Sequence, residues 1–450
     1  MSDLPPIQYS RENSALFTLE DERVVVLGAG RSGVAAANLA VARGAEVRLF
    51  DSRDNPSPVG LDSRVSVIGN ATPEVGEKVY SDYLVVSPGI DTYGPLVKAF
   101  SLNTMEVMGE LELGYRYYDG TTIAITGTNG KTTTTEIISH LIIKAGHSAA
   151  PCGNHGVPLC ELILNDAPEF AVIEVSSFQL ETISTFRASV SLWLNLAPDH
   201  LDRYPNMEAY RAAKERIFLN LLPTDWKITR YEEGFEFASH HITFSAFDDS
   251  ADWHYADHLI CSQSAPAIDL YQTKLRGLHN IENVMAAAAT INCLGIDLPA
   301  PLGSLLQDYQ PPAHRCEFIR SLNGVEFIND SKSTNLHSLE TALDAFEQKL
   351  ILIVGGKEKG LNYKTLKGKL AKNIKLCLTI GEIGPNLVKL FSDDIETRYC
   401  ASLEEAVTKA QLSAEEGDYI LFSPGTSSFD MFRSYEERGE AFRTIVDGLV

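Results

Sequence analysis

At 450 residues the chain is long for one ordinary core, because single domains hold about 100 to 200 residues, and two or three domains are expected. Its 44% apolar and 22% charged residues are those of a soluble globular protein, and no stretch reaches the ~20 consecutive apolar residues of a spanning helix. With 38 Lys and Arg against 60 Asp and Glu, a net charge of −22, the chain lacks the basic surface that nucleic-acid binding requires. Any anionic ligand must then be held by helix N-termini, individual cations or magnesium.

At the N-terminus, Met1–Ser10 carries neither the basic nor the apolar region of a signal peptide, which predicts a cytoplasmic protein. Seven scattered cysteines without a CxxC pair fit buried thiols in a reducing compartment. Arg23 to Leu27 predicts a strand, Gly28-Ala29-Gly30-Arg31-Ser32-Gly33 a glycine turn, Val34 to Arg43 a helix and Glu46 to Phe50 a second strand ending at Asp51. This is the opening of a doubly wound α/β unit, with glycines that let backbone amides approach a diphosphate. Taken alone it argues for an NAD-dependent enzyme, although any diphosphate could use the same amides and a tight turn is the plainer alternative.

A second unit begins near Thr121, where the strand Thr122 to Thr126 enters Gly127-Thr128-Asn129-Gly130-Lys131-Thr132-Thr133 and a helix. Amides and the helix dipole cradle phosphates at such a turn, Lys131 can reach β and γ oxygens, and a threonine hydroxyl can bind Mg²⁺. The motif is one step short of the full P-loop, since position 125 is Ile rather than Gly. Two apolar strands, Phe170 to Val175 and Val190 to Leu196, follow, and Glu174-Val175-Ser176-Ser177 and Asp199-His200-Leu201-Asp202 lie at their C-terminal ends. Carboxylate and imidazole beside a triphosphate suit octahedral magnesium, whereas singly each fits a helix cap or a surface loop. Thr224 to Gln272 is poorly patterned.

The pattern breaks near Tyr309-Gln310-Pro311-Pro312, after which strands are expected at Val325 to Asn329, Leu350 to Val354, Ile374 to Ile380 and Tyr419 to Phe422. Asn329-Asp330-Ser331-Lys332-Ser333-Thr334-Asn335 and Gly355-Gly356-Lys357-Glu358-Lys359 each end a strand with lysine among small polar residues. Charged surface loops are their default explanation. The residues by themselves thus reach an ATP and magnesium site, a second diphosphate site and a third unit offering cations.

These motifs, with His279-Asn280-Ile281-Glu282-Asn283, His314-Arg315-Cys316-Glu317 and Ser423-Pro424-Gly425, stand in the order found in the Mur ligases, which the chain resembles over nearly its whole length. The resemblance is to the branch that adds D-glutamate, and it implies three α/β domains: a Rossmann-like N-terminal domain over 1–109, a central P-loop ATPase-like domain over 110–312 and a C-terminal Rossmann-like domain over 313–450. It implies an ATP- and Mg²⁺-dependent amide ligase of peptidoglycan precursor synthesis, whose substrates are UDP-N-acetylmuramoyl-L-alanine and D-glutamate and which works as a monomer. Folylpolyglutamate synthase, which shares the central domain, is the runner-up.

The resemblance assigns Arg31, Ser32, Gly33, Asp51, Ser52, Arg53, Ser87 and Gly89 to the UDP-sugar rather than to NAD, and Asn154 and His155 to the acyl donor. Gly127 to Thr133, Asn280, Asn283, Arg315 and Asp330 fall to ATP, and Thr132, Glu174 and His200 to the metal. Lys131, His200, Lys214 and Lys332 are implied to be catalytic. Lys214 aligns with a lysine that CO₂ converts to a carbamate, although on spacing alone it is an ordinary exposed helix lysine. Thr334, Lys359, Ser428 and Tyr435 are implied to take D-glutamate, Tyr435 standing where the family often has Phe.

Overall fold

The computed structural model describes residues 17–201, 203–271, 273–275, 277–310, 313–344, 346 and 349–449. Met1–Ser10, Asp202, Gln272, Pro311 and Pro312 lie outside the described residues.

Three sheets carry the chain, one for each α/β unit expected. The first contains β1 (Arg23–Leu27), β2 (Glu46–Phe50), β3 (Ser66–Ile68), β4 (Ser81–Val86) and β5 (Thr104–Gly109), all parallel, in the order β3-β2-β1-β4-β5. That is a doubly wound order, and its direction reverses between β1 and β4, where open α/β sheets bind their ligands in the crevice between the loops after the strands. Val24 to Leu27 are wholly buried, as a parallel strand covered on both faces must be. The first helix is Arg31–Ala42, one turn earlier than the apolar pattern suggests, because Gly30 in extended conformation ends the turn directly at Arg31. Gly33 must be glycine: a Cβ there would stand 1.8 Å from the Gly28 carbonyl oxygen.

The second sheet runs β14-β13-β12-β11-β10-β9-β6-β8-β7. One end of it is formed by β6 (Thr121–Thr126), β7 (Ala149–Gly153), β8 (Phe170–Glu174) and β9 (Val190–Trp193), all parallel. The poorly patterned stretch is not a loop. It supplies β10 (Trp226–Arg230), β11 (His241–Ser245), β12 (Trp253–Ala256), β13 (Leu259–Ser262) and β14 (Ile268–Asp269), which extend the sheet from β9, the last two antiparallel. These strands are short and several are only half-buried, so neither a continuous apolar run nor a strict alternation marks them.

The third sheet has the order β15-β16-β20-β17-β18-β19. β15 (Glu317–Leu322) is antiparallel to β16 (Val325–Asn329), while β17 (Leu350–Gly355), β18 (Ile374–Ile380), β19 (Thr397–Tyr399) and β20 (Tyr419–Phe422) are parallel. By contact density the first two sheets fall in one compact unit and the third in another. Among the described residues no helix is long and apolar enough to cross a membrane.

The helix Glu110–Tyr117, which follows β5, buries two carboxylates with opposite outcomes. Glu110 accepts the Cys160 amide at 2.6 Å while its Oε2 has no hydrogen-bond partner among the described residues, and burial pushes it up to about 7. Burial would raise Glu112 too, but the Thr185 hydroxyl, the Ser184 amide and Arg116 outweigh it and hold the carboxyl below its ordinary range. Three successive amides, Ser184 to Phe186, point at Glu112. Glu112→Ala is expected to cost about 1 to 3 kcal/mol, since the buried Phe186 amide loses its acceptor while Arg116 keeps Glu106 as its partner. Because the folded pKa is lowered, this contribution is present above the ordinary carboxylate pKa and is lost as pH falls through the lowered one. Urea unfolding of Glu112→Ala and wild type at neutral and acid pH measures both, and equal midpoints at neutral pH would count against it.

Candidate active site

The phosphate-type turn follows β6 and enters the helix Lys131–Lys144. Gly130 has φ +85°, and a Cβ on it would stand 2.4 Å from the Asn283 Oδ1, so a side chain is excluded on both counts. Asn195, just past β9, clamps the turn: its Oδ1 accepts the Asn129 amide at 2.9 Å, its Nδ2 donates to the Asn129 carbonyl at 3.1 Å, and its own carbonyl accepts the Thr128 amide at 2.9 Å. Sequence reasoning missed Asn195, whose position at the end of an apolar strand in this unit was the available signal. Asn283 joins the same cluster by accepting the Thr134 hydroxyl at 3.2 Å.

Beneath the turn, the Thr132 hydroxyl donates to Glu174 Oε2 at 2.7 Å, and Asn154 Nδ2 donates to Glu174 Oε1 at the same distance. Glu174 is the last residue of β8, next to β6 in the sheet, and both Thr132 and Glu174 are buried. A hydroxyl and a carboxylate at a helix N-terminus are oxygen donors of the kind that Mg²⁺ takes together with phosphates, so these residues fit the metal and a nucleotide triphosphate. Thr133 is buried in the same first turn. His155 pairs with Glu136 of the helix at 2.5 Å. His200, in the left-handed region at φ +54°, packs edge-on against Phe178 and Tyr210, with ring centroids 4.9 and 6.0 Å away.

Lys214 is not the exposed helix lysine that spacing alone suggests. It is 2% exposed, and its Nζ donates to the Gly127 carbonyl at 2.9 Å over the Tyr210 ring. Lys131 Nζ donates to the same carbonyl at 2.9 Å and to that of Thr128 at 3.0 Å. One carbonyl therefore faces two lysine side chains.

In the first sheet, Asp51 accepts the Ala29 amide at 2.8 Å and the Arg53 guanidinium at 2.7 Å. Arg53 holds the Asp51 carboxyl well below the usual range. The acidic residue thus orients the glycine turn, with Ser52 and Arg53 exposed beside it. Ser87, whose Oγ donates to the Gly28 carbonyl at 3.3 Å, brings the loop carrying Gly89 over the same crevice. Ser32 is partly exposed beside buried Gly33, and Arg31 donates to the Gly156 carbonyl at 2.6 Å. That bond brings the first glycine turn against the loop that carries Asn154 and His155.

In the third sheet, Asp330 follows β16 and is buried; Ser423 Oγ donates to it at 2.7 Å and the Cys316 amide at 3.2 Å, while burial pushes its carboxyl up to about 7. Lys332 Nζ lies 3.7 Å from the centroid of the Tyr435 ring. Arg438, also unforeseen, is 1% exposed and donates to the Ser331 Oγ and carbonyl at 3.0 and 2.7 Å and to the Thr426 carbonyl at 3.0 Å. It binds the loop after β16 to the loop after β20. Lys359 is exposed with its Nζ 3.5 Å from the Thr334 carbonyl, Thr334 is half-buried, and Ser428 is buried. Asn280 is buried at the start of the helix Leu278–Leu294, and Arg315 is partly exposed.

Three family models match in chain order: the Mur ligase MurD-like N-terminal domain at residues 22–109, the Mur ligase middle domain at 125–291 and the Mur ligase glutamate ligase domain at 314–425. A curated UDP-N-acetylmuramoylalanine–D-glutamate ligase of Aquifex aeolicus (strain VF5) is 38% identical over 431 residues, spanning 94% of this chain and 98% of the relative. The chain belongs to the Mur ligase family. Another ligase of that name, from Trichlorobacter lovleyi, is 37% identical over 456 residues, spanning 96% of this Mur ligase chain and 100% of its own. The Mur ligase fold is also seen in the crystal structure of the UDP-N-acetylmuramate–alanine ligase of Thermotoga maritima, at a TM-score of 0.59 and 18% identity over 95% of this chain and 99% of that one. A Mur ligase N-terminal domain model spans Gly28 to Gly33, so the dinucleotide-cofactor reading of that turn gives way.

Proposed function

We propose that this Mur ligase joins D-glutamate to UDP-N-acetylmuramoyl-L-alanine at the expense of ATP, in the synthesis of peptidoglycan precursors. The observation that carries this reading is the phosphate turn with Thr132 against Glu174, in a chain 38% identical over nearly its whole length to a curated D-glutamate ligase. A carboxylate does not react usefully with an amine, so the alanyl carboxylate first attacks the γ-phosphorus of ATP, giving an acyl phosphate and ADP. The D-glutamate amine then attacks the acyl carbon, and inorganic phosphate leaves.

In this scheme the amides of Gly127 to Gly130 and the Lys131 side chain hold the triphosphate, with Thr132 and Glu174 as metal ligands. Bound there, Mg²⁺ neutralises charge on the phosphate oxygens as it develops. Thr133, Asn280, Asn283, Arg315 and Asp330 are assigned to the nucleotide. His200 and a carbamylated Lys214 support the metal, and Asn154 and Lys332 stand by the acyl phosphate. The crevice of Arg31, Ser32, Gly33, Asp51, Ser52, Arg53, Ser87 and Gly89 takes the UDP end, with His155 nearer the acyl end. We assign these tasks to domains 1–109, 110–312 and 313–450 of a cytoplasmic monomer.

Incubation with ATP, Mg²⁺, UDP-N-acetylmuramoyl-L-alanine and D-glutamate should give ADP and a new amide in equal amounts. ADP without amide, or amide formed equally well with L-glutamate or meso-diaminopimelate, would overturn the assignment. The incoming amino acid brings two carboxylates that must each find donors as they leave water. Lys359 is assigned to one of them, Thr334 and Ser428 to the other, with Tyr435 packing beside. Lys359→Ala is therefore expected to raise the KM for D-glutamate by about thirty-fold or more, the loss that follows from truncating one member of a charge pair, with the KM for ATP little changed. Steady-state kinetics with each substrate varied in turn measures this, and an unchanged D-glutamate KM would move the acceptor pocket elsewhere.

A further inference from the structure

We propose that Arg203 is a positioning residue that fixes the UDP-sugar end of the acyl donor relative to the phosphate turn, a role that rests on the ligase reading above. Arg203 stands in the same turn as His200, its amide donating to the His200 carbonyl at 3.0 Å. Its guanidinium reaches across to the first sheet. Nη2 donates to the Ile90 carbonyl at 2.9 Å and Nη1 to the Pro88 carbonyl at 3.4 Å, while Nη2 also meets Glu181 Oε2 at 3.3 Å. The guanidinium carbon lies 4.4 Å from the centroid of the Phe178 ring, which also packs against His200 and Tyr204. The Glu181 side chain is itself 3% exposed and accepts the Tyr204 hydroxyl at 2.7 Å.

The loop that Arg203 grips is the one over the UDP crevice. Ile90 closes the Ser87–Ile90 turn, its amide donating to the Ser87 carbonyl at 3.0 Å, and the Ser87 amide donates to the Leu27 carbonyl at 3.0 Å, at the mouth of the first glycine turn. Hydrogen bonds thus run from that glycine turn through Ser87 to Ile90, then through one guanidinium to Glu181, on the element that also carries Phe178. A surface turn otherwise exchanges its carbonyl bonds with water and moves freely. Arginine suits the task because its planar fork serves two carbonyls and a carboxylate at once while its face stacks on an aromatic ring, which a lysine ammonium cannot do. Displacement of the UDP end by about 1 Å carries the alanyl carboxylate away from the phosphoryl group by a similar amount. Arg203 touches no reacting atom in this scheme.

Steady-state kinetics on Arg203→Ala and Arg203→Lys, with UDP-N-acetylmuramoyl-L-alanine and ATP each varied, tests the role. The expected result is a KM for the UDP-sugar about ten-fold or more higher in Arg203→Ala, the size of a lost hydrogen bond to a charged group, with an intermediate rise in Arg203→Lys. The KM for ATP should stay near its wild-type value in both, a split that general loosening of the fold would not produce. If Arg203→Ala does not fold, Arg203→Lys decides alone. Active wild type with unchanged UDP-sugar KM in the variants, or equal rises for both substrates, overturns the role of Arg203 and leaves the ligase reading standing. Wild type that forms no amide overturns that reading and this role together.

Discussion

Replacing Lys131 by alanine is expected to lower the rate of ADP formation by about a hundred- to a thousand-fold, the typical loss when one preorganised group facing developing charge is removed. Lys131 begins the helix after the proposed phosphate turn, and its Nζ lies on the Gly127 and Thr128 carbonyls of that turn. In the proposed site its ammonium would leave those carbonyls for the β and γ oxygens. UDP-sugar binding should survive, because the crevice after β1 and β4 belongs to the first sheet, whereas Lys131 follows β6 of the second. Single-turnover ADP release, together with calorimetric binding of UDP-N-acetylmuramoyl-L-alanine, separates the two effects. A variant that kept most of its ADP release would remove the phosphate-turn assignment.

Lys214→Ala should be nearly as damaging, by about a hundred-fold or more if it removes a group that stabilises charge at the metal. The Gly127 carbonyl faces both Lys131 and Lys214, and Lys214 is almost wholly buried. Two ammonium groups at one carbonyl repel each other and would repel a divalent cation. In the proposed modification the ammonium first loses a proton, and addition of CO₂ to the neutral amine forms an N–C bond and releases a second, which would turn the Lys214 cation into an anion with oxygen donors. Its remaining N–H can still serve the Gly127 carbonyl. Acetate or another small carboxylate should therefore restore part of the activity of Lys214→Ala, and wild type depleted of bicarbonate should lose activity. Intact mass or crystallographic density tests the modification directly. A fully active enzyme with unmodified Lys214 would rule it out.

The strands that the sequence marks cleanly are those buried on both faces. Arg23–Leu27, Val325–Asn329, Ile374–Ile380 and Tyr419–Phe422 fall where their apolar runs predict, because a parallel strand covered by helices must be apolar nearly throughout. The strands at Trp226–Arg230 and His241–Ser245 were not legible. They gain their place by adding to a ready edge at β9, a long-range pairing that leaves little local trace. The glycine turns were legible for a related reason: Gly33 and Gly130 lie where any Cβ would collide, so backbone geometry writes itself directly into residue identity.

Side chains that act through distant partners are another matter. Nothing near Asn195, Arg203 or Arg438 announces that each holds two separated loops together, since the partners lie far off in the chain. Lys214 is the sharpest case. Its neighbours Tyr210-Arg211-Ala212-Ala213 look like a surface helix, and only the packing of that helix against the phosphate turn puts the ammonium on the Gly127 carbonyl. The sequence by itself determined the α/β class, the phosphate turn and, through the order of its motifs, the family. Tertiary structure alone decided which polar side chains are buried and what they face, because burial and charge pairing depend on contacts between strand ends that the chain order does not bring together.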